Sequence, residues 1–149
     1  MVADGEYLSD CYSAGLDPWS DTAVVHDDLV AAKELVYDPC GFACTEPVPE
    51  AESAGYAAHL FTVDGRSIRF RSAKSTPTKV GQFVTVWKRA VGGPIEPFDD
   101  TDRVDLFVIS TVERDSLGQF VFPVDVLRER GVVAGDGSDG KRAFRVYPP

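Results

Sequence analysis

YAAHLFTVDGRSIRFRSA, residues 56–73, changes the period of the chain to two. Two runs, 56–62 and 67–73, flank Val63-Asp64-Gly65-Arg66, where Asp-Gly suits a type I′ turn because both residues tolerate positive φ. The stretch therefore predicts a β-hairpin. In its second strand Ile68 and Phe70 face one way, Arg69 and Arg71 the other.

Further along, GQFVTVW predicts a third strand over 82–87, and VDLFVIST a fourth over 104–111. The nearly unbroken apolar run of the fourth marks a central strand covered on both faces. A fifth strand over 120–122 ends at Pro123, which opens a short helix over 124–130 closed by Gly131. A Gly/Asp loop over 136–140 and a last strand over 143–147 finish the chain. The quartet Gly-Gln-Phe-Val occurs at 81 and again at 118, opening a strand each time, and strand-entry chemistry accounts for it without duplication. Upstream of the hairpin, 40–52 reads as an irregular connection rich in Pro and Gly. Before it, Val25, Leu29, Ala32 and Val36 recur at helical spacing, with Ser20 or Asp21 as cap and Pro39 and Gly41 as the stop. A weaker helix is expected over 4–14. Helices first and mostly antiparallel strands afterwards predict an α+β fold, N-terminal helices packed on a mostly antiparallel mixed sheet.

A chain of 149 residues fits one domain over 1–149 that needs neither disulfides nor metals. No apolar run approaches the roughly 20 residues that cross a bilayer, so no membrane partner is expected. MVADGEYLSD lacks the basic start and apolar stretch of a signal peptide, which points to the cytoplasm. Three cysteines in no scaffold spacing agree with a reducing compartment.

Charge is distributed in blocks. The chain carries a net charge of −9, and residues 1–64 hold thirteen acids and one base. Between Gly65 and Gly93 there are seven bases and no acid: Arg66, Arg69, Arg71, Lys74, Lys79, Lys88 and Arg89. A local field decides attraction at contact distance, so this island can draw an anion to an acidic protein. Thr76 and Thr78, in a loop after Lys74, add hydroxyl donors, as Gln82 adds an amide. Trp87 offers a stacking surface beside Lys88 and Arg89. The competing reading pairs these cations with acids of neighbouring strands or of the acidic helices in one wet charge face.

The run FRSAKSTPTKVGQFVTVWKR (70–89), with GQFVFP (118–123), GKRAFRVYP (140–148) and Glu52-Ser53-x-x-Tyr56, resembles the MepB family of bacterial proteins. The resemblance covers 50–149 as the family core and leaves 1–45 as an acidic helical N-terminal segment. It implies a restriction-endonuclease-like core and an affinity for nucleic acid. It brings no catalytic residues, and it raises the weight on Arg71, Lys74, Thr76, Thr78, Lys79, Gln82, Trp87, Lys88, Lys141 and Arg142.

A nuclease of the restriction type needs an acid-x-Lys pair to hold Mg²⁺ and position water. The residues two before Lys74, Lys79 and Lys88 are Ser72, Pro77 and Val86, none of them acidic. A migrated site would have to use Glu50 or Glu52 with Asp105 and Lys74. Asp99, Asp100, Asp102 and Asp105 read as a solvated loop offsetting Arg103 more readily than as a cation site. His26 and His59 stand near no triad or metal signature, and Cys40-x-x-x-Cys44 has the wrong spacing for zinc. The sequence thus points to a non-catalytic DNA- or RNA-binding protein that calls for no cofactor or metal. Its anion-binding residues are Arg69, Arg71, Lys74, Thr76, Thr78, Lys79, Gln82, Trp87, Lys88 and Arg89, with Lys141 and Arg142 completing the rim. Two alternatives stand beside it: a divergent metal-dependent nuclease, and an interaction module whose acidic N-terminal segment docks a basic protein.

Overall fold

The hairpin forms where the Asp-Gly turn places it. In a computed structural model describing residues 19–20, 24–135 and 137–149, β2 (His59–Val63) pairs antiparallel with β3 (Arg66–Ser72). Asp64 and Gly65 have φ of 47° and 78°, the two positive values a type I′ turn requires. A two-residue β1 (Val48–Pro49) extends the sheet beyond β2. On the other side β3 runs parallel to β8 (Leu106–Glu113), which pairs antiparallel with β9 (Ser116–Pro123), giving the order β1-β2-β3-β8-β9.

β8 is central and covered on both faces, as its apolar run requires. Phe107 and Ile109 enter one core cluster and Val108 the other. One face of the sheet, with Ile68 and Phe70, lies under α1 (Asp27–Ala32), which buries Leu29 and Ala32. The opposite face is covered by a three-stranded sheet of order β10-β5-β4, made of β4 (Lys74–Thr76), β5 (Lys79–Thr85) and β10 (Ala143–Val146). Val84, Val86 and Val146 fill the space between the sheets, together with Leu127 of α2 (Val124–Glu129). A small hairpin of β6 (Trp87–Arg89) and β7 (Ile95–Pro97) completes an α+β fold whose described strands pair mostly antiparallel. Among the described residues no helix is long and apolar enough to cross a membrane.

Four local expectations are corrected. The cap of α1 is His26, whose Nδ1 accepts from the Asp28 amide at 3.2 Å, while Ser20 instead donates to Glu46. The helix then widens into a π-turn over Lys33–Tyr37, closed by Asp38 N–H to the Lys33 carbonyl at 2.9 Å. The extra residue rotates the apolar stripe. Val36 turns outward at 44% exposure, while Lys33 and Tyr37 go in. The strand expected from 56 starts at His59, because Ala54–Tyr56 forms a 3₁₀ turn between two left-handed residues, Ser53 (φ 58°) and Ala57 (φ 52°). Finally, the expected loop after Lys74 is a tight hairpin in which Pro77-Thr78 joins Thr76 to its partner Lys79. The helix expected over 4–14, and most of the acidic segment with the basic protein partner envisaged for it, lie outside the described residues.

Candidate nucleic-acid interface

The basic island divides into cations spent on carboxylates and cations left free. Arg69 and Arg71 share Glu50, whose Oε2 accepts from Arg71 at 2.9 Å and whose Oε1 accepts from Arg69. Arg71 sits between the two sheets at 0% exposure, so in this conformation its guanidinium meets Glu50 and not a ligand. Burial lowers its pKa, and the charge of Glu50 opposes the shift. Lys88 is enclosed by Asp102 at 2.7 Å, Asp99 at 3.0 Å and Glu96 at 3.7 Å. Burial alone would lower its pKa, but the hydrogen bonds to Asp102 and Asp99 outweigh it and the net shift is upward. Asp99 accepts from the hydroxyl and amide of Thr101 and from Lys88, which together hold its pKa down at about 2. Arg89 pairs with Glu52 at 3.4 Å. Carboxylates from outside the island therefore pair Arg69, Arg71, Lys88 and Arg89, as the charge-face reading expects, except that Arg71 is buried and not on a wet face.

Of the island cations that no ion pair takes among the described residues, Arg66 is exposed at the start of β3, while Lys74 and Lys79 lie on the other sheet. Register places Lys74, Phe83 and Arg145 side by side across β4, β5 and β10, so their side chains share a face. Tyr56, raised by the 3₁₀ turn, meets Phe83 edge to face at 6.0 Å between centroids. Lys74 Nζ stands 4.8 Å over the Tyr56 ring and Arg145 Cζ 5.6 Å over Phe83. Arg145 also donates to Thr76 Oγ1 at 2.8 Å and to the Gly81 carbonyl at 3.2 Å, which orients its guanidinium across the strands. The result is an aromatic pair flanked by two cations. Further along the chain, Trp87 carries Arg89 at 5.8 Å. Lys79, Lys141, Arg142 and Thr78 are exposed. No ion pair among the described residues takes Lys74, Lys79, Lys141, Arg142 or Arg145.

Gln82 differs from its expected place. It points inward at 4% exposure and donates to the Val112 carbonyl at 3.0 Å, so it braces β5 against the end of β8. Gly81 just before it has φ of 80°, and a Cβ there would lie 2.7 Å from the Tyr147 ring, so the position demands glycine. Sequence reasoning missed Arg145, Tyr56 and Phe83 as site residues. The alternation in AFRV hints that Arg145 faces away from Val146, but only strand pairing brings it beside Phe83.

The migrated acid set is not assembled. Glu50 is occupied by two arginines, and Asp105 accepts from the Ser67 amide at 2.8 Å. Ser67 lies four residues from Arg71 along β3, about 13 Å away. His59 is buried, with Nδ1 2.7 Å from the Ala57 carbonyl, and Cys40 and Cys44 are free thiols. Among the described residues no three His, Cys, Asp or Glu side chains converge as a metal site would need.

A mixed sheet covered on one side by a helix and on the other by a small basic sheet defines the class of protein, and sequence agrees. The MepB-like family model matches residues 50–149, and the chain belongs to that family. Among solved structures it is similar to the one titled "Crystal Structure of MepB", at 28% identity and a TM-score of 0.70. That match covers 83% of this chain and 82% of the other. No curated protein matches the chain.

Proposed function

We propose that this chain binds single-stranded nucleic acid, DNA or RNA, without cutting it, on the face built from Tyr56, Lys74, Phe83 and Arg145. The observation that carries this reading is the aromatic pair held between two cations. Every base has a π-face, so rings that keep part of their surface in solvent, as half-buried Tyr56 and Phe83 do, stack unstacked bases at about 1–3 kcal/mol each, while cations beside them take the phosphates. Duplex bases are already stacked on each other and cannot use such rings. Phe83 and Trp87 stand four residues apart, about 13 Å of extended chain, room for more than one nucleotide. Exposed Lys79, Lys141 and Arg142, which no ion pair takes among the described residues, add positive charge to the strands of the β10-β5-β4 sheet and their ends. On this reading the endonuclease-like core implied by the family resemblance is a scaffold that keeps a nucleic-acid face and no cutting site, since Glu50 is committed to Arg69 and Arg71.

The test is fluorescence anisotropy with single-stranded DNA, RNA and duplex probes. The expected order places both single strands above duplex, and Phe83→Ala weakens single-strand binding about 5- to 150-fold with its salt dependence unchanged. Equal affinity for duplex, or indifference to Phe83, would sink the reading.

A further inference from the structure

Residues 50–57 form a loop whose side chains touch three strands of the basic region, β3, β6 and β5. Glu50 holds Arg69 and Arg71 of β3, Glu52 holds Arg89 of β6, Ser53 accepts from Thr85 of β5 at 2.9 Å, and Tyr56 packs on Phe83. The backbone hydrogen bonds of this loop close on themselves. Glu50 N–H donates to the Ala58 carbonyl at 2.8 Å, Tyr56 to Ser53 at 2.8 Å and Ala57 to Ala54 at 3.0 Å. Such a loop is a separate unit laid against its neighbours by side chains. Its turns are made by Ser53 and Ala57 at positive φ, a conformation L-residues adopt only under constraint. A surface cleft of about 280 Å³, lined by Pro49, Glu50, Ala54, Ala57 and His59 among others, borders it.

The three charge pairs of this loop are not equivalent. Arg71 is inaccessible, but Arg89 and Glu52 keep 46% and 37% of their side-chain surface, at the Trp87 end of the aromatic face. A carboxylate on a guanidinium occupies the place a phosphate takes on the same donor. We propose that Arg89 is a latent phosphate subsite of the nucleic-acid face, and that Glu52, carried on the 50–57 loop, is the internal carboxylate that a backbone phosphate displaces. The proposal rests on the nucleic-acid reading above and adds a built-in competitor to it. It has a thermodynamic signature. When a phosphate takes Arg89 from Glu52, the freed carboxylate recruits a counterion from solution. The ion released from the nucleic acid is thereby balanced, and the exchange is close to salt-neutral. Removing the Glu52 charge leaves the release uncompensated.

The experiment is a double-mutant cycle, Glu52→Gln, Arg89→Met and both together, read as anisotropy of a fluorescein-labelled oligothymidylate over 50–200 mM salt. Both residues are half-exposed, and circular dichroism checks that each variant is folded. Glu52→Gln is expected to tighten binding and to steepen the log–log salt slope by about 0.7, one more phosphate on a single strand. Arg89→Met alone keeps the wild-type slope, and in the double variant the steepening disappears. Steepening that persists without Arg89 would mean a general field effect, and no steepening would mean no subsite; either overturns the proposal while binding itself still supports the nucleic-acid reading. Absence of binding by wild type and Glu52→Gln alike would overturn both.

Discussion

On the proposed nucleic-acid reading, neutralising Lys74, Arg145 and Lys88 one at a time should separate cations that meet phosphates from a cation held by carboxylates. Among the described residues no ion pair takes five cations on or next to the strands of the β10-β5-β4 sheet: Lys74, Lys79, Lys141, Arg142 and Arg145. If each takes one phosphate, the log–log salt slope on a single strand is about −3.5, and affinity falls on the order of a hundredfold from 50 to 200 mM salt. Lys74→Met and Arg145→Gln should each bring the slope to about −2.8, and the pair together to about −2.1, a fall of only about twentyfold over the same range. Lys88 lies in the same basic stretch but is enclosed by Asp99, Asp102 and Glu96. Lys88→Met should therefore leave the slope at its wild-type value even where the overall affinity drops. Anisotropy titrations at four or more salt concentrations give the slopes directly. A flat wild-type response would refute the phosphate count, and a Lys88→Met slope as shallow as that of Lys74→Met would refute the division of the island.

Three further outcomes follow from the same geometry. Glu50→Gln strips the buried Arg71 and its neighbour Arg69 of their shared counter-charge, and should cost about 3–5 kcal/mol of unfolding free energy in urea titrations. Gly81→Ala places a Cβ against the Tyr147 ring at positive φ and should lower stability by about 1–3 kcal/mol, with partial recovery when Tyr147→Ala removes the ring. Asp99 is held down at about pH 2 by Thr101 and Lys88, so the folded state binds its proton less readily than the unfolded chain. Its contribution is present above the unfolded carboxylate range near about 4 and is lost as pH falls through about 2. Asp99→Asn should flatten the acid limb of a thermal-stability profile in that window, and an unchanged limb would remove Asp99 from the account.

The hairpin over 59–72, the doubly covered strand at 106–113 and the family itself were legible in the residues. Each rests on local chemistry: an Asp-Gly turn, a run with no polar side to show to water, and a motif long enough to be specific. The π-turn at Lys33–Tyr37 was not legible, because one inserted residue shifts which side chains face inward without changing the composition of the stripe. The strand β7 was hidden behind Pro94 and Pro97, and pairs only because β6 presents an edge to it.

The sequence by itself determined that a block of positive charge exists and that aromatic and hydroxyl side chains lie within it. Only the tertiary structure decided which charges are free. Carboxylates at 50, 52, 96, 99 and 102 reach cations across gaps of up to 37 residues in the chain, and Arg145 reaches Phe83 across 62. An ion pair depends on distance in space, and spacing along the chain is silent about distance once strands from separate segments pair.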